Sequence, residues 1–267
     1  MFVLTVAIVA SLAGNALAQA TFNLDCSRYP DVCDNHCNAF SCYGLYNVGI
    51  HRDITAADTG DDNRRRAAVG CGSNNYCPAG TACDEYPYAS TYDGGLGCYP
   101  DGYDGGATLI QSGNTRCVDP GQNSAHGADL GNFYTQNNIN NGDAFIVAVP
   151  NQPSGVSPLC DDLRANGSQA CPGRPGVPEG PYRQRSTPAT PSCPARGSRR
   201  RSILSFRAGL EESKRLGEIK VRTIYTDANQ TLSVYGHGDG PKIGGKVWTG
   251  SETGGFTSTI VKVVEEQ

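Results

Sequence analysis

The chain has 267 residues, 38% of them apolar, with 34 glycines, twelve cysteines and a formal net charge of minus four. So low an apolar fraction makes a thin core that leans on cross-links, and an even cysteine count in an exported chain allows a full set of disulfides. The balance excludes a uniformly basic polyanion binder, and no stretch beyond the N-terminal run is apolar enough to span a bilayer.

The run Met1 to Ala18 reads as a signal peptide. It ends in the small-x-small triplet Ala16-Leu17-Ala18, with Ala18-Gln19-Ala20 as a second cleavage position. A secreted, extracellular protein is therefore expected. Residues 21–150 carry the turn and core signals of a compact, disulfide-stabilised α+β domain. Within it the pattern predicts a helix over Asp58 to Val69, capped by Asp61 or Asp62 and stopped by Gly70. Strands are predicted at Ala107 to Ile110 and Ala144 to Val149, and a short helix at Leu130 to Tyr134.

Residues 151–205, rich in Pro, Gly, Ser and Arg, read as a linker pinned locally by Cys160, Cys171 and Cys193. The basic run Arg199-Arg200-Arg201 inside it is read as solvated. Residues 206–267 read as a C-terminal appendage, β-rich or poorly ordered, with a weak helix at Phe206 to Leu216. Its strands are predicted at Ile219 to Tyr225, Thr231 to Tyr235 and Phe256 to Val264. The sequons Asn166-Gly-Ser168 and Asn229-Gln-Thr231 predict a glycoprotein with both sites at the surface.

Charge is unevenly placed. From Thr21 to Cys160 six arginines face fifteen carboxylates, whereas from Asp161 onward sixteen basic residues face eleven acidic ones. An acidic domain binds a polyanion poorly unless something neutralises its carboxylates where the two meet, and a divalent cation does that. Cys33, His36 and Cys37 look like zinc ligands in isolation, but export favours disulfides and no paired C-x-x-C completes a tetrahedral site. His36 and His237 read as surface histidines.

The chemistry concentrates at Cys83-Asp84-Glu85-Tyr86-Pro87-Tyr88-Ala89-Ser90-Thr91, followed by Gly94-Gly95. A disulfide at Cys83 and the fixed φ of Pro87 would mount Asp84 and Glu85 on a stiff stem, the support that a metal ligand or general base requires. In an extended segment the two point to opposite faces, so one can hold a metal while its neighbour acts as base or buttress. Upstream lies Arg64-Arg65-Arg66-Ala67-Ala68-Val69-Gly70, and downstream lie Asn123-Ser124-Ala125-His126-Gly127 and Leu130-Gly131-Asn132-Phe133-Tyr134.

These three blocks, in this order over about residues 45–150, resemble the NucA/NucB deoxyribonuclease family of secreted microbial endonucleases. The resemblance implies hydrolysis of DNA by a monomer, with Mg2+ or Mn2+ at Asp84 and Glu85, and admits a protein inhibitor as a partner. It implies Asp84 and Glu85 as catalytic residues, and His126 joins them as the general acid or base because imidazole titrates near neutral pH. Arg64, Arg65, Gln122, Asn123 and His51 are the expected substrate-binding residues, the arginines through forked bonds to phosphate. Gln122 departs from the family pattern, in which that position can carry a carboxylate. The competing reading is a non-catalytic secreted binding protein for polyanions or a cell surface. Protease, esterase and nucleotide-hydrolase readings lack their marks: there is no Gly-x-Ser-x-Gly elbow, no His-Glu-x-x-His and no Walker loop.

Overall fold

The computed structural model describes residues 20–45, 48–94, 112–150, 155–173, 182–186, 220–236, 241–249 and 255–265. In chain order they form β1 (Thr21–Asn23), α1 (Pro30–Tyr43), β2 (Val48–His51), α2 (Ala56–Thr59), α3 (Asp61–Val69), β3 (Ala82–Tyr86), β4 (Ser112–Val118) and α4 (Pro120–Gln136). There follow β5 (Ala144–Pro150), α5 (Pro158–Asn166), a 3-10 turn (Gly167–Ala170), β6 (Tyr182–Ser186), β7 (Lys220–Thr226), β8 (Thr231–Gly236), β9 (Lys246–Thr249) and β10 (Phe256–Glu265). The mixture is the α+β class expected. The signal peptide, the strand at Ala107 to Ile110, the helix at Phe206 to Leu216, the run Arg199 to Arg201, Gly95, Cys98, Cys193 and His237 lie outside the described residues.

Six strands close into a barrel in the order β1-β9-β10-β7-β8-β5 and back to β1, with β2 added on β5. The β1 strand is parallel to both β5 and β9, and the remaining barrel pairings are antiparallel. Successive side chains on a strand face opposite ways, so one strand can serve two interiors, as β5 does. Ile146 and Ala148 of β5 join Ile224, Leu232, Val234, Val247 and Ile260 in one cluster. Phe145, Val147 and Val149 of the same strand join Phe22, Phe133, Tyr88 and Trp248 in the larger core, packed with α1 and α4.

The C-terminal strands are thus not an appendage. They lie close to where their β-branched runs predict, with β9 added, but they complete the barrel around β1 and β5. Trp248 of β9 is fully buried in the larger core, where its indole Nε1 donates to Gln136 Oε1 of α4 at 2.5 Å. Nor are residues 155–173 and 182–186 a linker: α5 packs on α1, and β6 pairs with β4 in a second, three-stranded sheet, β3-β4-β6.

All ten described cysteines are in disulfides: Cys26–Cys33, Cys37–Cys160, Cys42–Cys171, Cys71–Cys83 and Cys77–Cys117. Cys37 and Cys42 staple α5 and the turn after it onto α1, which replaces the local pinning expected. Cys33 and Cys37 leave no thiolate for zinc. His36 is fully buried rather than at the surface, its ring nitrogens bonded to the Val32 carbonyl and the Tyr88 hydroxyl.

Helix α1 starts on Pro30, whose missing N–H costs nothing at that position, and ends on Gly44 in the left-handed region at φ 63°. The predicted helix over Asp58 to Val69 is two helices, α2 and α3, broken at Gly60 with φ 70°. Helix α4 is far longer than predicted. Asp119 caps it by accepting from Gln122 N, and Pro120 follows at the first helical position. Asn166 and Asn229 are both exposed, as expected. No helix among the described residues is long and apolar enough to cross a membrane.

Candidate active site

Strand β3 carries Asp84 and Glu85 across from Arg116 and Thr115 of β4, and Cys71–Cys83 ties the strand to the end of α3. The turn that follows is held from behind by Arg65, which is 2% exposed. Its guanidinium donates to the Ala89 carbonyl at 2.9 Å and to Asp53 Oδ2 at 2.7 Å. The turn closes so tightly at Gly94 that a Cβ there would collide with the Tyr88 carbonyl.

In front of β3 lies a cleft of about 480 Å³, lined by Asp84, Glu85, Tyr88 and Ser90, by Asn123, His126, Gly127 and Tyr134 of α4, and by Arg52 and Arg66. Asp84 is 3% exposed and accepts from Asn35 Nδ2 at 2.8 Å. Burial, then the neighbouring Glu85, push its carboxyl well above the usual carboxylate range, against the pull of Asn35 and Arg116. Glu85 is raised by burial and drawn back by Arg66, whose Nε donates to Glu85 Oε1 at 3.2 Å.

His126 Nδ1 lies 3.7 Å from Asp84 Oδ1, and its Nε2 has no hydrogen-bond partner among the described residues. The ring sits among Phe22, Tyr29, His36 and Tyr88, and this burial, then His36, hold its pKa well below the ordinary imidazole value. At neutral pH it is the uncharged imidazole. The cleft therefore combines two carboxylates, a neutral base, an amide and two guanidiniums, a set able to take up a proton and to meet an anion.

Of the residues expected from sequence, the structure brings Asp84, Glu85, Asn123 and His126 together. It does not bring Arg64, Arg65, Gln122 or His51 to the cleft lining. Arg64 pairs with Asp61 on the outer side of α3. Arg65 is on the buried face with Val69, four residues on, so its charge is committed to Asp53. Gln122 Oε1 accepts from Asp31 N at 2.9 Å and its Nε2 donates to Asp31 Oδ2 at 3.1 Å, so it ties α4 to the start of α1. His51 is buried on β2, its N–H donating to Asp93 Oδ2 at 2.6 Å.

The cleft also holds two basic residues that are not among those expected from sequence. Arg66 follows Arg65 on α3, and the one-turn spacing of Arg65 and Val69 was the available sign that Arg65 faces inward and Arg66 does not. Arg52 donates to the Ser90 carbonyl at 3.0 Å and lies 4.0 Å from the Tyr134 ring centroid. Nothing local to the sequence marked it.

The family model described as deoxyribonuclease NucA/NucB matches residues 37–148, a segment that contains β3, the cleft face of α4 and the whole of β5 but for its last two residues. A search of curated proteins finds no match to the chain.

Proposed function

We propose that the protein is a secreted, metal-dependent endodeoxyribonuclease that hydrolyses phosphodiester bonds at the Asp84 cleft. One observation carries the reading: Asp84 and Glu85 of β3 and Asn123 and His126 of α4, two segments far apart in sequence, line one cleft within the stretch that matches a deoxyribonuclease family. Five disulfides among the described residues support export to an oxidising compartment.

The donor set suits a hard divalent cation such as Mg2+ or Mn2+, which is commonly held by one or two carboxylates with water and substrate phosphate in the remaining positions. No cluster of three or more His, Cys, Asp or Glu side chains forms a ready-made cage among the described residues, so Asp84 and Glu85 would hold the ion. It would supply polarisation of the scissile phosphate and a more acidic water. His126, neutral because it is buried, accepts the proton of the attacking water at Nδ1, the nitrogen that faces Asp84. Asn123 orients the substrate or that water. Arg52 and Arg66 draw the phosphate into an otherwise acidic surface, and phosphate binding releases Arg66 from Glu85.

Nicking of supercoiled plasmid by the purified, oxidised protein tests this. Cleavage abolished by chelator, restored by Mg2+ or Mn2+ and lost in Asp84→Ala is the expected result. DNA that is bound but left intact across a panel of divalent cations would favour the non-catalytic polyanion-binding reading instead.

A further inference from the structure

Behind Asp84 runs a row of three asparagines, Asn35 and Asn38 from α1 and Asn114 from β4, all fully buried. Asn35 Nδ2 donates to Asp84 Oδ2 at 2.8 Å. Asn114 Nδ2 donates to Asn35 Oδ1 at 2.6 Å and to the Asn35 backbone carbonyl at 2.8 Å. Asn38 Nδ2 donates to Asn114 Oδ1 at 2.9 Å.

The row has a direction, and one atom sets it. A backbone carbonyl only accepts, so the Asn35 carbonyl makes Asn114 turn its amide nitrogen toward Asn35. Asn35 must then offer Oδ1 to Asn114 and its own nitrogen to Asp84, while Asn114 offers Oδ1 to Asn38. Every amide in the row donates toward Asp84. Burying three primary amides costs free energy unless each finds partners, and apolar side chains of the same shape would fill the space without that cost. Packing alone does not explain the row.

We propose that Asn35, Asn114 and Asn38 are positioning residues that lock the rotation of the Asp84 carboxylate, holding Oδ2 from behind and turning Oδ1 to the cleft for a divalent cation. The inference rests on the reading of Asp84 as a metal-binding carboxylate. Asn35 itself lies outside the segment matched by the family.

The test uses the full exported chain and three near-isosteric variants, Asn35→Leu, Asn114→Leu and Asn38→Leu. It measures Mn2+ binding by calorimetry, kcat and KM on a DNA duplex, and Tm. Partners that orient a metal ligand typically govern metal affinity by about 10- to 100-fold. Mn2+ affinity and kcat should fall by about that much in Asn35→Leu and progressively less in Asn114→Leu and Asn38→Leu, with KM nearly constant and with no parallel order in Tm. Folded variants with unchanged kcat and Mn2+ affinity, or losses that simply follow Tm, overturn the proposal. If Asn114→Leu fails to fold, Asn38→Ser, at the far end of the row from Asp84, decides by the same criteria. Wild-type protein that binds no Mn2+ and cuts no DNA overturns the nuclease reading together with the positioning role, whereas a metal-dependent wild type with indifferent asparagine variants overturns the positioning role alone.

Discussion

The barrel interior and the core beneath the cleft share strand β5, yet they are built from different materials. On one face of β5, Ile146 and Ala148 meet an aliphatic cluster with Leu232, Val234 and Val247. On the other, Phe145 and Val147 belong to a core that also buries Asn35, His36, Asp84, Asn114 and His126. The first interior does what cores ordinarily do: it removes apolar surface from water. The second accepts ionisable and amide groups at a cost in stability, an arrangement expected where chemistry rather than packing dictates the residue. One strand thus anchors an aliphatic cluster on one side and the more polar core beneath the cleft on the other.

The sharpest way to break this comparison is Asp84→Asn. Loss of the carboxylate should lower DNA cleavage by about a thousandfold or more, on the scale of removing a principal catalytic group. Because burial raises the Asp84 pKa in the fold, holding the charge at neutral pH costs stability, so the same variant should raise Tm. A variant that keeps its activity, or melts earlier than wild type, would contradict the contrast. Leu232→Ala tests the opposite side. It should cost about 2 to 5 kcal/mol in denaturant unfolding, while the cleavage rate per folded molecule stays near wild type.

Acid also separates the two interiors. Burial lowers the His36 pKa to about 4 from an ordinary value of 6.5. The group therefore contributes stability that is present above pH 6.5 and is lost as pH falls toward 4, on the order of 3 kcal/mol for a shift of this size. His126 acts in the same direction and Asp84 in the opposite one. The difference between wild type and His36→Gln, followed by denaturant unfolding across that window, isolates the His36 share. A pH-independent difference would refute it. The smallest effect is expected of Arg66→Gln, which should raise KM for DNA by about tenfold at low salt and less at high salt, with kcat changed little. Equal loss at all salt concentrations would argue against a phosphate-binding role.

Legibility followed the range of each interaction. The Cys83 to Gly94 segment was readable because a disulfide, a proline, paired carboxylates and a tight glycine turn are all local. The tail strands were readable as strands for the same reason, since their β-branched runs are contiguous. Helix α1 escaped notice because Asp34, Asn35, His36 and Asn38 look like solvent-facing residues until their partners are known. Asp34, for example, accepts from Ser157 Oγ and from the N–H groups of Leu159 and Cys160 at the start of α5. Helix α4 is only partly legible because Gly121, Gly127 and Gly131 interrupt its pattern, although the last two border the cleft.

By itself the sequence determined the class of the fold, the disulfide bonding implied by its cysteines and the acidic segment where chemistry is expected, since each is written in composition or in neighbours a few residues apart. Only the tertiary structure decided that the tail closes the barrel, that Arg52 reaches the cleft, and that three asparagines stand behind Asp84. Those outcomes depend on pairings such as Asn23 Nδ2 to Thr249 Oγ1, 3.0 Å apart across 226 residues. No local pattern encodes a strand's partner, because alternation states which face is buried and is silent about what buries it.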